Sequence, residues 1–393
     1  MKQIEIFFRT FLFVVFVFLA AQFNQLSAQN AEPLDSVELS LITCSPHEEV
    51  YSLYGHTAIR LIDSRSGRDL TFNYGVFNFK APHFVLRFVF GKTDYELGIL
   101  PTEMFCDYYK QWGSEVQEQV LNLTAEEKAL LLHALGVNLK PENRVYRYNF
   151  FYDNCSTRPR DIITRNIVGR VVFEERLDFA PSYRAMIHEM DRHHPWAAFG
   201  NDLLLGVRAD FSTTRQQQEF LPMNLKYDFD HAQIISPDGS SRPLVKQCRV
   251  LVEAGEQVVE PDFPLDPLPC ALLLLAFFLI VMAVEWRRHA CLVCVDAAVM
   301  CVTGLLGCVL VVMFFSEHPA TSTNLQAILF NPVHLFYIPS VLRRNFNIRY
   351  WNVLIIMIVL FLLGSIWQDY AEGMEILALC LLSRYLSHKR NDK

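Results

Sequence analysis

The chain has 393 residues, of which 52% are hydrophobic and 20% charged, and its formal net charge is −7 at pH 7. This length allows two or three domains, and the apolar composition, with a mean hydropathy of +0.18, indicates membrane spans. No basic stretch is long enough to neutralise a row of phosphates, which argues against binding to nucleic acid.

The first residues have the pattern of an export signal. Two basic residues precede an apolar run from Phe11 to Ala21, and Ser27 and Ala28 offer a cleavage site. The run is shorter than the ~20 residues that a span needs. We therefore expect a cleaved signal peptide at 1–28 rather than an uncleaved first transmembrane helix.

Residues 30–225 have the pattern of a mixed α+β domain. Alternating apolar and polar residues predict strands at SVELSLITC, HTAIRLID and LTFNYGVF, and RVYRYNFFYDN is again typical of a strand. Thr124 and Glu127 form a capping box, which predicts the start of an amphipathic helix. The segment after Pro159 is predicted to be helical.

The composition changes after residue 225. Residues 226–268 contain a predicted hairpin around SPDGSS and the proline-rich connector PDFPLDPLP. Residues 269–388 then read as a multi-span membrane domain. The candidate spans lie near 268–285, 291–315, 325–341, 349–367 and 373–387.

Basic residues predict the orientation of these spans. The clusters are Arg287-Arg288, Arg343-Arg344 with Arg349, and His388-Lys389-Arg390. With five spans all three clusters fall on one side of the membrane, which the positive-inside rule assigns to the cytoplasm. We therefore expect a multi-pass protein of the inner (cytoplasmic) membrane whose globular domain faces the periplasm.

Two polar stretches supply a candidate nucleophile and base. His56 begins a predicted strand in LYGHTAIRLID, and Cys155 follows a strand and precedes a helix in YNFFYDNCSTRPRD. A thiolate is favoured by a helix N-terminus, an imidazole and positive charge, and Arg158 and Arg160 offer that charge. Because a proline ring clashes with the carbonyl four residues back, we expect the helix to start near Thr157.

A catalytic imidazole needs a third group that fixes its tautomer. If HTAIRLID pairs with LTFNYGVF, Asn73 and Tyr74 lie opposite or diagonal to His56. A slip of one residue exchanges the two faces of a strand, so both stay candidates, with Asn73 preferred.

Several further residues are candidates for substrate contact or support. Asn154 and Asp161 flank the cysteine turn together with Arg158, and His318 lies in a loop between predicted spans, where polar groups tend to be functional. The aromatic-rich segment 77–92 fits either a membrane-surface segment or ordinary core.

A structural role for the cysteine is the opposing hypothesis. A cysteine and a histidine about a hundred residues apart are often unrelated, and Cys155 has Cys44 and Cys106 as possible disulfide partners. In that case the protein would be a non-catalytic membrane scaffold.

YGHTAIRL, FNYG and NFFYDNCSTRPRD together resemble the periplasmic domain of the Lnb family, the lipoprotein N-acyltransferases of Bacteroidota. The resemblance continues through GNDLLLG at 200–206, FLP at 220–222 and HPATSTN at 318–324. The order of histidine and cysteine is also similar to permuted NlpC-like and lecithin:retinol acyltransferase-like thiol enzymes. The resemblance implies a permuted papain-like domain with Cys155 as nucleophile and His56 as base; relatives often carry a second histidine where this chain has Asn73.

The activity that the resemblance implies is acyl transfer at the membrane. A fatty acyl chain would pass from a phospholipid to Cys155 and then to the α-amine of a diacylglyceryl-cysteine lipoprotein, with no metal or organic cofactor. The expected partners are therefore the phospholipid donor, the lipoprotein acceptor and the membrane. A periplasmic amidase or peptidase that acts on cell-wall peptides with the same Cys155 and His56 is the alternative.

Overall fold

The computed structural model describes residues 34–77, 82–175, 180–259, 263–318, 320–344 and 348–391. The predicted signal peptide and residues 78–81 of the aromatic-rich segment lie outside these ranges. The chain forms two compact units. The first contains the chain up to Ala180 with Thr213–Glu260, and the second contains Pro181–Ser212 with the chain from Pro261 onward.

The first unit contains two antiparallel sheets. Their strands are β1 Val37–Cys44, β2 His56–Asp63, β3 Arg68–Val76, β4 Asp94–Pro101, β5 Val116–Leu121, β6 Val145–Arg147, β7 Arg170–Val172, β8 Gln233–Ile235, β9 Ser241–Pro243 and β10 Val245–Val252. The large sheet has seven strands in the order β10-β5-β1-β2-β3-β4-β6, and the small sheet has the order β7-β8-β9.

The helices divide between the two units. Those of the first unit are α1 Phe84–Val89, α2 Thr102–Gln111, α3 Ala125–Asn138, α4 Thr157–Arg165, α7 Arg215–Gln218 and α8 Pro222–His231. Those of the second unit are α5 Tyr183–Met190, α6 Pro195–Leu204, α9 Pro267–Arg288, α10 Val293–Phe314, α11 Val333–Leu342, α12 Ile348–Gly364 and α13 Met374–Asn391.

Both faces of the large sheet are buried. One face packs Leu41 and Phe72 against helices α3, α4 and α8, and the other packs Ile42 against Phe105 and Tyr109 of α2. Alternate residues of a strand point to opposite faces, so β1 supplies both cores. The expected mixed α+β fold, followed by a helical membrane domain, is confirmed.

Local sequence signals correctly located the main elements of the first unit. The three predicted strands correspond to β1, β2 and β3. Helix α3 begins with both bonds of the predicted capping box: Thr124 Oγ1 accepts from the Glu127 N–H at 3.2 Å, and Glu127 Oε2 accepts from the Thr124 N–H at 2.8 Å. These bonds satisfy N–H groups that have no partner inside the helix.

The domain boundaries differ from those expected. The predicted hairpin exists as β8 and β9, but β10 then joins the large sheet beside β5, so most of the segment 226–268 belongs to the first unit. Residues 181–212 instead group with the membrane helices, where Arg184 is buried between Asp202 and Asp210. Both differences depend on contacts between residues that are distant in the sequence, which local composition does not predict.

The second unit contains helices that can cross a membrane. Among the described residues, Pro267–Arg288, Val293–Phe314 and Leu325–Leu342 are long and apolar enough, and Arg349–Gly364 is a shorter apolar helix. Helix α13 is less apolar, since it carries Glu375, Lys389 and Arg390 near its ends and Arg384 between them. The guanidinium of Arg384 binds both oxygens of Glu285 and also Asp296, at 2.7–2.8 Å. All three side chains are buried, so this ion cluster joins α9, α10 and α13.

Candidate active site

His56 is positioned by the start of strand β2. Gly55 precedes it with φ of +74°, and a Cβ atom at that position would lie 2.7 Å from the carbonyl oxygen of Cys44, so only glycine fits there. His56 Nε2 lies 2.7 Å from Asn73 Oδ1. An amide oxygen accepts hydrogen bonds, so Nε2 carries the hydrogen and Nδ1 keeps the lone pair that can take a proton.

The register of β2 and β3 decides between the two orienting candidates. The pairs of β2 with β3 end at Ile59 and Phe72, and the same register continued by three residues puts Gly75 opposite His56 and Asn73 diagonal to it on the same face. The close approach of His56 to Gly75 agrees with this register. Tyr74 points to the other face, where its buried hydroxyl accepts a 2.9 Å bond from Asn138 Nδ2. The structure therefore brings Asn73 to His56 and does not bring Tyr74 there.

Cys155 lies in the turn before helix α4, which starts at Thr157 as the proline argument predicts. Asn154 holds this turn with its whole amide group. Its Oδ1 accepts from the N–H groups of Ser156 and Thr157, each at 2.9 Å, and its Nδ2 donates to the carbonyl oxygens of Phe150 and Phe220. These four hydrogen bonds of Asn154 fix the backbone of the turn that carries Cys155.

The thiol and the imidazole meet at Gly75. A Cβ atom at that position would lie 3.6 Å from Cys155 Cβ and 3.7 Å from His56 Cε1. Gly75 has φ of +108° and interrupts the pairing of β3 with β4 between Tyr74 and Val76. Both side chains therefore lie within van der Waals reach of one point beside the Gly75 backbone.

Burial keeps both groups neutral near pH 7. It lowers the pKa of His56 to about 4, against an opposing effect of the Asn73 bond, and the nearby His47 lowers it further. It also raises the pKa of Cys155 to about 11, although the backbone N–H groups of Thr57 and Cys155 favour the thiolate. The arrangement suits a thiol that loses its proton to the imidazole as it attacks.

The predicted positive charge around the thiol is corrected by the structure. Arg158 makes a bidentate ion pair with Asp153 at 2.6 and 2.7 Å, and its guanidinium lies 3.6 Å from the centre of the Tyr146 ring. Arg160 binds Asp161 and the buried Glu219. Carboxylates therefore neutralise both arginines, and Asn154 occupies the first N–H groups of the helix.

The remaining predicted residues have separate positions. Asp161 binds Arg160 and Arg165 on helix α4. His318 belongs to the second unit, in the loop after α10. Cys44 and Cys106, the possible disulfide partners, are free thiols, as is Cys155. Burial raises the pKa of Cys44 well above its usual value, so this neighbour of His56 on β1 stays protonated.

Sequence reasoning missed the aromatic surroundings of the site. The ring of Tyr109 stacks on His56 with centroids 6.4 Å apart, and Tyr95 and Tyr148 stack on each other at 4.1 Å. The alternation of tyrosines in YRYNFFY was the available signal, since alternate residues of an extended segment share a face. No sequence signal indicated that Gly75 adjoins both Cys155 and His56, because that proximity depends on the register between β2 and β3.

Two family models match the chain. The Lnb N-terminal periplasmic domain matches residues 24–189, and the Lnb transmembrane domain matches residues 259–392. The chain belongs to the Lnb family. No curated protein and no solved structure matches it significantly.

The two Lnb matches separate the site from the membrane helices. His56, Asn73 and Cys155 all lie within the match to the periplasmic domain. The match to the transmembrane domain contains α9 to α13. The chain is therefore a membrane protein with a periplasmic part, and the thiol site belongs to that part.

Proposed function

We propose that this protein is a lipoprotein N-acyltransferase that transfers a fatty acyl chain from a phospholipid to the α-amine of a diacylglyceryl-cysteine lipoprotein. The observation that carries the proposal is the grouping of Cys155, His56 and Asn73 around Gly75, in the periplasmic domain of an Lnb-family chain.

In the first half-reaction the ester bond of the phospholipid is exchanged for a thioester. His56 Nδ1 takes the thiol proton as Cys155 Sγ attacks the ester carbonyl carbon. The carbon–oxygen bond to the glycerol then breaks, and the imidazolium returns the proton to the departing oxygen. The products are an acyl-Cys155 thioester and a lysophospholipid.

In the second half-reaction an amine replaces the sulfur. The lipoprotein amine attacks the thioester carbonyl, His56 removes a proton from the attacking nitrogen, and the carbon–sulfur bond breaks. The proton returns to the sulfur, which regenerates the thiol. The Asn73 bond keeps Nδ1 free to exchange protons in both halves.

The membrane domain supports this assignment because both substrates are membrane-bound. We place the protein in the inner membrane with five spans, corresponding to α9, α10, the segment Leu325–Leu342, α12 and α13. This topology would leave the three basic clusters in the cytoplasm and the thiol domain in the periplasm.

The test is mass spectrometry of a lipoprotein acceptor. A purified diacylglyceryl-cysteine lipoprotein is incubated with the full-length protein and vesicles of a phospholipid with isotope-labelled acyl chains. One labelled acyl group should appear on the acceptor's N-terminal amine, and none with Cys155→Ala. An unmodified acceptor, together with hydrolysis of cell-wall peptides by the wild type, would contradict the proposal and favour the amidase.

A further inference from the structure

A series of aromatic rings leads from the protein surface towards Cys155. Tyr51, whose side chain is half exposed, contacts the ring of Phe77 with centroids 5.7 Å apart. Phe77 stacks on Tyr95 at 4.9 Å, and Tyr95 stacks on Tyr148 at 4.1 Å, with ring planes within 23° of parallel. We call Phe77, Tyr95 and Tyr148 the aromatic wall.

The inner end of the wall lies at the thiol. Asn149 and Asp153 exchange backbone hydrogen bonds of 2.9 and 3.0 Å, so the chain reverses between Tyr148 and Cys155 and brings the two back together. Electrostatics agrees with this proximity. Burial first, and the Cys155 sulfur next, raise the pKa of Tyr95 to about 12 and that of Tyr148 well above its usual value.

Exposed apolar side chains occur in the segments that carry the outer rings or adjoin them. Val50, which precedes Tyr51 in the chain, is 69% exposed, and Leu86 and Phe88 of helix α1 are 58% and 44% exposed. An ion pair between Arg87 and Asp94 fixes α1 next to the start of β4, which carries Tyr95. Apolar side chains interspersed with cations are typical of segments that enter a lipid surface.

We infer that the acyl chain of the donor phospholipid lies along the aromatic wall, with its ester carbonyl at Cys155 and its glycerol end beyond the thiol. The inference rests on the proposed function and names the part of the first unit that holds the donor. Because the three rings cover one another's faces, the alkyl chain would lie along their apolar edges, which bind it through dispersion and removal of water. An extended peptide would instead use main-chain hydrogen bonds along a strand edge, which aromatic rings do not offer.

This placement predicts that the KM for the donor depends on acyl-chain length. Each methylene that passes from water to the wall contributes ~0.8 kcal/mol, so for a phospholipid dissolved as monomers each one removed should raise the KM for the donor about fourfold until the chain no longer reaches the wall. The rate of acyl-Cys155 formation by the full-length protein is measured with water-soluble phospholipids of decreasing chain length, below the concentration at which they form micelles. This series uses the wild type, so no variant has to fold.

Substitution at Phe77 tests the wall itself. Phe77→Ser should raise the KM for the longest of these dissolved phospholipids roughly 10-fold or more, and the milder Phe77→Leu less. The control is Tyr227→Ser, at a half-exposed tyrosine of α8 whose ring centroid lies 4.3 Å from that of His231. Acetylation of Cys155 by p-nitrophenyl acetate, whose acyl group has no long chain, should fall far less than phospholipid acylation in the two Phe77 variants, and both reactions should stay within about twofold of wild type in Tyr227→Ser.

The outcomes separate this inference from the proposed function. If wild-type Cys155 is acylated by phospholipid, but neither chain length nor Phe77→Ser changes the KM, the wall does not hold the donor and only the inference fails. If no phospholipid acylates wild-type Cys155 while p-nitrophenyl acetate does, the proposed function fails. Equal losses for Phe77→Ser with the acetyl and long-chain donors would also overturn the inference, because they indicate a damaged site.

Discussion

Removal of the Asn73 side chain tests the orientation of the catalytic imidazole. In Asn73→Ala the Nε2–H of His56 loses its 2.7 Å partner, and the tautomer with hydrogen on Nδ1, which cannot accept the thiol proton, becomes competitive. An unsatisfied buried donor costs about 1–3 kcal/mol, which corresponds to an about 5- to 150-fold lower rate if the loss falls on the transition state. The assay is single-turnover formation of acyl-Cys155, quenched at intervals and measured by intact mass.

Two further variants make this prediction specific. Tyr74→Phe removes a hydroxyl on the opposite face of β3, so it should lower the free energy of unfolding by about 0.5–1.5 kcal/mol and leave the acylation rate unchanged. Asn73→Asp keeps an acceptor but adds negative charge, which raises the pKa of His56 above its value of about 4 and moves the acid limb of the pH–rate profile upward. A wild-type rate for Asn73→Ala, or an equal loss for Tyr74→Phe, would refute the reasoning.

Three further predictions concern space, charge and protonation. Gly75→Ala adds a methyl group 3.6–3.7 Å from Cys155 and His56 at a φ of +108°, and we expect at least about a 10-fold loss of acylation rate. An unchanged rate would mean that the ester carbonyl of the donor approaches Cys155 from another side. Arg384→Met leaves the buried Glu285 without its cation and Asp296 with His388 alone, and should cost about 3–5 kcal/mol in the unfolding of the detergent-solubilised protein. The exposed Arg288→Met should change little, and equal effects would contradict a buried cluster. Because the pKa of Cys155 is raised to about 11, its alkylation by iodoacetamide, followed on its own peptide, should accelerate about tenfold per pH unit between pH 7 and 10; a plateau already at pH 6 would instead indicate a thiolate paired with protonated His56.

Local signals predicted the elements of the first unit, but not how they pair. The alternation in HTAIRLID and LTFNYGVF indicates strands, yet a slip of one residue exchanges their faces, so Asn73 and Tyr74 remained alternatives until the register was known. The position of β10 in the large sheet depends on pairing with β5 more than a hundred residues away. No local pattern reports such a contact.

Charged residues were the least predictable part of the site. Arg158 and Arg160 are close to Cys155 in sequence, which suggested that they stabilise a thiolate. Their effect depends on side-chain direction, and the tight turn brings Asp153 to Arg158 while Glu219 reaches Arg160 from a distant segment. When a cation is already paired with a carboxylate, the two charges largely cancel at the thiol, so the pair does little to stabilise a thiolate.

The most direct test of the proposed chemistry is the covalent intermediate. The full-length protein is incubated with phospholipid and no acceptor, and its intact mass is measured. We predict one fatty-acyl addition, which neutral hydroxylamine removes and which maps to the peptide containing Cys155. An equal amount of lysophospholipid should form. The addition should be lost in Cys155→Ala and greatly reduced in His56→Ala. The absence of any acyl adduct at every lipid concentration, with turnover of cell-wall peptides by the same preparation, would contradict the account.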